Sequence, residues 1–217
     1  MKKGFFITLD GPDGCGKSTQ SKLLVECLKK EGFKVVHTRE PGGTSIAENL
    51  RKIILNPNFK ISPITELMLY EASRAQHTKE IIEPSLRAKK IVVCERYTDA
   101  TSAYQGYGRG LDLSIVEKLN QIATGGLRPD FTLFLDVPIQ EGLKRARKEK
   151  KDFSHGKGDR LEQENFGFHQ KVRKGYLALA KKEPQRIKLI SGNGTIQQIH
   201  QKICDEVMKK LKGIYHK

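Results

Sequence analysis

Nine residues near the start of the chain, Gly11-Pro12-Asp13-Gly14-Cys15-Gly16-Lys17-Ser18-Thr19, constrain it more than any other stretch. They match the pattern G-x-x-x-x-G-K-[ST], with Gly11, Gly16, Lys17 and Ser18 at the fixed places. The apolar run from Phe5 to Leu9 precedes them and reads as a buried strand. From Ser18 to Glu31, Leu23, Leu24, Cys27 and Leu28 recur at helical spacing. A glycine-rich turn between a strand and a helix lets backbone N–H groups face phosphate oxygens without a Cβ in the way. The helix start adds partial positive charge. In such a loop Lys17 reaches the β- and γ-phosphates of a nucleoside triphosphate and Ser18 ligates Mg²⁺.

The rest of the chain keeps alternating strand and helix patterns. Strands are expected at Lys34–Arg39, Ile91–Glu95, Phe131–Val137 and Arg186–Ile190. Thr44 or Ser45 caps a helix running to Leu55. Pro63 opens a long helix to about Leu86, with Leu67, Tyr70, Arg74, His77 and Ile81 on one face. Further helices are expected from Asp112 to Ala123, Ile139 to Lys148, Leu161 to Lys182 and Thr195 to Leu211. Gly32 and the Gly125-Gly126 pair stop the helices before them. This alternation predicts a three-layer α/β/α fold with a five-stranded parallel sheet covered on both faces. With 217 residues, a single domain spanning 1–217 is expected.

Charge bears on partners. The formal net charge is +15, yet lysines are spread from end to end, and only Lys144 to Lys151 is densely basic. No recognition helix or stacking motif accompanies the charge, so anionic small molecules are the expected partners rather than nucleic acid. No apolar run of 18 residues exists, and the chain enters a strand at once, so neither a membrane span nor a signal peptide is expected. Cys15, Cys27, Cys94 and Cys204 form no C-x-x-C pair, which suggests free thiols in a reducing cytoplasm. His37 and His155 have no metal-ligand spacing.

A second constellation is Cys94-Glu95-Arg96-Tyr97, which puts an acid and an arginine at the carboxyl edge of the sheet, where ligands bind in open α/β folds. Glu95 suits Mg²⁺ held through water, and Arg96 a bidentate grip on phosphate. Five more stretches complete an ordered set: Arg39-Glu40-Pro41-Gly42-Gly43-Thr44, Ala72-Ser73-Arg74, Ala103-Tyr104-Gln105-Gly106-x-Gly108-Arg109-Gly110, Arg128-Pro129-Asp130 and Asp159-Arg160-x-Glu162. In this order, over essentially the whole chain, the set closely resembles thymidylate kinases of the bacterial type. The resemblance implies the P-loop NTPase type of fold with a mobile lid at about 145–160 and an acceptor-binding region at about 39–110. It implies γ-phosphoryl transfer from ATP to dTMP, giving dTDP and ADP, with Mg²⁺, in a homodimer.

The resemblance also assigns roles. Gly11 through Thr19 would bind ATP. Tyr70 would stack on thymine where the family usually has phenylalanine. Arg74 would read the base, Arg51 and Arg96 would clamp the dTMP phosphate, and Thr101 and Gln105 would bond the pyrimidine edge. Tyr104 would crowd a ribose 2′-hydroxyl, Asp13 would accept from the 3′-hydroxyl, and Glu40-Pro41 would wall the pocket. Two departures stand out. Glu95 replaces the usual Asp, and the lid is longer than typical, with Lys151 through Gly158 before Asp159. Gly14 stands where the eukaryotic type carries arginine, so a second transition-state cation must come from elsewhere. The basic segment offers Arg147 first and Arg160 second, while Arg145 suits a cation–π contact with adenine. A GTP-dependent switch is disfavoured, because no Asn-Lys-x-Asp motif exists. A kinase for another nucleotide or small acceptor is disfavoured by the Tyr70, Arg74, Thr101, Tyr104 and Gln105 set, and a nucleic-acid-dependent ATPase would show ATP turnover stimulated by DNA.

Overall fold

A computed structural model describes residues 4–151 and 158–215, with the side chains of 147–151 and 214–215 left aside. Residues 152–157 of the expected lid, including His155, and the side chain of Arg147 lie outside the described residues. Five strands form one parallel sheet: β1 Phe5–Asp10, β2 Val35–Arg39, β3 Ile91–Glu95, β4 Phe131–Asp136 and β5 Ile187–Ser191. Their order is β2-β3-β1-β4-β5. Thr8 stands opposite Cys94 on one side and Thr132 on the other. The strand order turns at β1, so the loop that follows β1 lies where ligands bind in such sheets.

Alternate side chains leave opposite faces of each strand. Phe5, Ile7 and Leu9 join Ile91, Val93 and Leu133 in one core. That core is covered by α1 (Lys17–Lys30) and α9 (Ile196–Tyr215). Phe6, Val92 and Cys94 form part of the opposite layer with Tyr97. On that side run α2 (Ser45–Leu55), α3 (Pro63–His77), α4 (Glu83–Arg87), α5 (Thr98–Thr101), α6 (Leu113–Thr124) and α8 (Phe166–Lys182). The remaining helix, α7 (Ile139–Lys151), follows β4. Among the described residues, no helix is long and apolar enough to cross a membrane.

Caps explain several helix limits. Thr44 Oγ1 accepts from Ala47 N–H at 3.2 Å, Asp112 accepts from Ser114 N–H, and Gly125 ends α6 in the left-handed region. Three differences from expectation have local causes. The helix expected to run from Pro63 to Leu86 is α3 and α4 joined by a π turn at Thr78–Ile82. Residues 98–108, assigned no element from sequence, are α5 continued by a second π turn. The helix expected from Leu161 starts instead at Phe166. Asp159 Oδ1 accepts from Leu161 and Glu162 N–H in a tight turn, and Asn165 Oδ1 caps α8 by accepting from Phe168 N–H at 2.9 Å.

A buried polar network joins the helices of the second layer. Arg74 is 1% exposed. Its Nε donates to Glu40 Oε2 at 2.9 Å, and Nη1 to Glu71, Thr101 and Asn120 at 2.7–2.9 Å. Its Nη2 donates to the Tyr97 carbonyl. One guanidinium therefore ties α3 to the loop after β2, to α5 and to α6. Glu40 also meets His77 Nδ1 at 3.0 Å. Removing the cation alone would leave two carboxylates buried without it. Arg74→Leu is expected to cost about 3–5 kcal/mol, read as a lower urea midpoint. A wild-type midpoint would show that other contacts hold these helices.

Candidate active site

The loop of residues 11–16 links β1 to α1. Gly16 caps α1 in the left-handed region at φ 90°, no side chain caps the first turn, and that turn holds no acid. Its amides are therefore left for an anion. Lys17 Nζ donates to the carbonyls of Gly11 and Pro12 at 3.0 and 2.8 Å. Gly14 has φ +69°, and a Cβ on it would stand 1.9 Å from the Gly142 carbonyl oxygen of α7. A Cβ on Gly142 would in turn meet the Asp13 carbonyl oxygen at 2.6 Å. The first turn of α7 thus packs directly on the loop, and an arginine at position 14 has no room.

β3 ends beside this loop. Glu95 Oε2 accepts from Ser18 Oγ at 2.6 Å and Oε1 from Ser21 Oγ at 2.7 Å. His37, treated as incidental from sequence, lies 3.0 Å from Ser21 Oγ and 3.3 Å from Glu95. The parallel pairing of β2 with β3 brings it there. Burial acts to raise the Glu95 carboxyl, but hydrogen bonds from His37, Ser18 and Ser21 outweigh it and hold it at about 2. A permanently charged carboxylate beside a serine hydroxyl is an all-oxygen donor set, which fits a hard cation such as Mg²⁺. Close by, Asp10 accepts from Tyr176 OH at 2.8 Å, while its Oδ2 is buried with no partner. Burial, with Asp99 nearby, pushes the Asp10 carboxyl up to about 6.

Arg96 takes a positive φ of 64° just past β3, a conformation costly for a non-glycine residue and one that recurs at functional sites. Its Nη1 donates to the Gly11 carbonyl at 3.1 Å. Its Nη2 donates to Asp13 Oδ1 at 2.6 Å and to Tyr104 OH at 3.1 Å. Burial alone would raise the Asp13 carboxyl, yet Arg96 and Lys17 bring it below its ordinary value.

A cleft of about 270 Å³ opens from here. Asp13, Gly14 and Gly16 through Thr19 line it on the loop side. Glu40, Pro41, Arg51, Tyr70, Arg74, Arg96, Thr101, Tyr104 and Gln105, which the resemblance assigns to the acceptor, line more of it, and so does Glu95, assigned to the metal. Several of these are already engaged. Arg51 donates to the Pro41 carbonyl at 2.7 Å, Thr101 accepts from Arg74, and Gln105 Nε2 donates to Glu66 at 2.8 Å. Arg39, Leu55, Ala100, Ala146, Asp159, Leu161 and Glu162 also line the cleft, and none was singled out from sequence. Arg39, Asp159 and Glu162 belong to the quoted motifs, which was the available signal.

The two other expected basic residues do not line the cleft. Arg160 points instead at Glu66, donating from Nη1 at 2.5 Å and from Nε to the Ile54 carbonyl. Glu66 is wholly buried and also takes Arg109, so the charge of Arg160 answers a carboxylate rather than a nucleotide. Arg145 Nε donates to Glu141 one turn earlier on α7.

Comparison with known proteins agrees with this geometry. The family model described as thymidylate kinase matches residues 9–203. Thymidylate kinase from Geobacter sp. (strain M21) is 47% identical over 97% of this chain and 94% of its own length. That from Syntrophotalea carbinolica is 51% identical over 92% of this chain and 93% of its own. The crystal structure of thymidylate kinase from Ehrlichia chaffeensis superposes with a TM-score of 0.74 at 34% identity, covering 94% of this chain and 98% of that one. A match across most of the sequence, with relatives this similar over nearly their whole lengths, shows that the chain belongs to the thymidylate kinase family.

Proposed function

We infer that this protein transfers the γ-phosphoryl group of ATP to dTMP, giving dTDP and ADP in the synthesis of dTTP for DNA replication. The family membership supports the reaction. The observation that carries it is one cleft lined at once by the phosphate loop and by the arginine- and tyrosine-bearing acceptor wall. Residues 11–19 receive the ATP phosphates. Lys17, which rests on two loop carbonyls, turns to the β- and γ-phosphates when they displace it. Ser18 and Glu95 would hold Mg²⁺, which would supply positive charge against the transferring phosphates.

On the acceptor side Tyr70 supplies an aromatic face for thymine. Thr101, oriented by Arg74, and Gln105, oriented by Glu66, bond the pyrimidine edge. Asp13 accepts from the 3′-hydroxyl and Tyr104 fills the space a 2′-hydroxyl would need. Arg51 and Arg96, with Arg39 at the rim, bind the dTMP phosphate. An oxygen of that phosphate attacks the γ-phosphorus in line, and the bond to the β-bridging oxygen breaks to release ADP. The protein contributes positioning and fixed positive charge more than covalent chemistry. Arg147 remains our candidate for a cation that arrives from the lid. For Arg145 to reach adenine, its pair with Glu141 must open.

The homodimer reading rests on an apolar surface. Exposed Ile46 and Ile53 on α2, Ile64 and Met68 on α3, and Leu113, Ile115 and Ile122 on α6 occupy helices that pack against one another, α2 on α3 and α3 on α6. Stripes of this kind mark interaction sites more often than chance exposure does.

Three measurements test these readings. Coupled ADP release with ATP should be greatest for dTMP among nucleoside monophosphates; activity with AMP, CMP or GMP but none with dTMP would overturn the assignment. Lys17→Met should keep its folded circular-dichroism spectrum while kcat falls by about 10²-fold or more, and normal turnover would remove the loop from the mechanism. Light scattering should find the wild type dimeric and Met68→Glu monomeric. A wild-type monomer would end the dimer reading.

A further inference from the structure

Away from the cleft, α1 and α9 pack side by side on the sheet, and three ligating side chains meet between them. Cys27 lies on α1, and His200 and Cys204 stand four residues apart on one face of α9. One ligand atom from each lies within 4.8 Å of the others. Cys204 Sγ is 3.6 Å from Nδ1 and 3.5 Å from Nε2 of His200. In a tetrahedral zinc site, bonds of about 2.3 Å to sulfur and 2.0–2.1 Å to nitrogen put neighbouring ligand atoms about 3.5–3.8 Å apart. The sulfur and the imidazole already have the spacing of two ligands on one ion. Because both ring nitrogens are equally near, rotation of the ring can aim either one inward.

The surroundings suit a cation. Cys204 is buried at the edge of the main core, while Cys27 and His200 are half-buried, so the cluster is closed toward the core and reachable from outside. Glu26 and Lys30 face His200, and Asp205 and Glu31 face Cys204, so carboxylates outnumber the single ammonium. Two sulfurs and an imidazole disfavour Mg²⁺, which takes oxygen ligands.

We propose that Cys27, His200 and Cys204 bind a borderline divalent cation, Zn²⁺ foremost, with water in the fourth position. Binding would release two thiol protons to solvent as the two sulfurs become thiolates. Cys27 sits ten residues beyond Lys17, about 15 Å along α1, so the ion would fasten α1 to α9 without entering the nucleotide cleft.

The test uses the full chain, reduced and stripped of metal and nucleotide. Titration with Co²⁺ should give thiolate-to-metal charge-transfer absorption and tetrahedral ligand-field bands saturating at one equivalent, which Zn²⁺ then bleaches. Zn²⁺ should raise the Tm. Cys27→Ser and His200→Gln, both at half-buried positions, should each abolish the charge-transfer absorption or shift it to a weaker, non-saturating one. Both should also lose the Zn²⁺-dependent rise in Tm and keep wild-type kinase turnover with Mg²⁺ and ATP. Glu95→Gln should leave the absorption intact, separating this site from the oxygen ligands at Ser18. Absence of thiolate charge transfer at stoichiometric Co²⁺, its persistence in Cys27→Ser, or its loss in Glu95→Gln would each overturn the proposal.

Discussion

The arrangement of the site depends on Arg96. Its guanidinium bonds the carbonyl of Gly11, the carboxylate of Asp13 and the hydroxyl of Tyr104, with Tyr176 OH at 3.4 Å. It therefore joins the phosphate loop, the end of β3, the π turn after α5, and α8. An arginine can do this because its planar fork carries five donors in fixed directions. The same contacts explain why Asp13 stays ionised despite its burial, since the positive charge of Arg96 lies beside it. The phosphate loop, the end of β3 and the cleft wall at Tyr104 are tied together through this one side chain, at the expense of a left-handed backbone at residue 96.

Two further buried charges orient residues of the cleft wall without facing the solvent. Arg74 fixes Thr101, and Glu66 fixes Gln105. Each centre is nearly saturated: Arg74 by five partners, Glu66 by Gln105, Arg109 and Arg160. A buried charge that lost a partner would be costly, so these networks hold their members in one geometry. Arg160 takes part in this scaffold, where the sequence motif alone suggested a role at the phosphates.

Glu95 stands where the family usually has aspartate. The added methylene places one carboxylate oxygen on Ser18 and the other on Ser21, with His37 alongside. The side chain is held from two sides, and its charge is secured by hydrogen bonds rather than by exposure. The glycine contact between residues 14 and 142 has a related consequence. It seats the root of α7 against the phosphate loop.

The sequence by itself determined the sheet and the phosphate loop. Strand runs such as Ile91–Glu95 are short, apolar and flanked by turn residues, and the G-x-x-x-x-G-K-[ST] spacing has a single local geometry between strand and helix. Local signals also placed Thr44 as a cap and Gly125 as a stop. They assigned nothing to residues 98–108, where the structure has α5 continued by a π turn that leaves no room for a Cβ at Gly106 or Gly108 beside Leu113, Phe168 and Val172. Partnership was beyond the sequence altogether. Arg160 binding Glu66, His37 reaching Glu95, and Cys27 meeting His200 and Cys204 all join residues far apart in the chain. Which charge meets which is fixed by how helices pack on the sheet, and only the tertiary structure decides that.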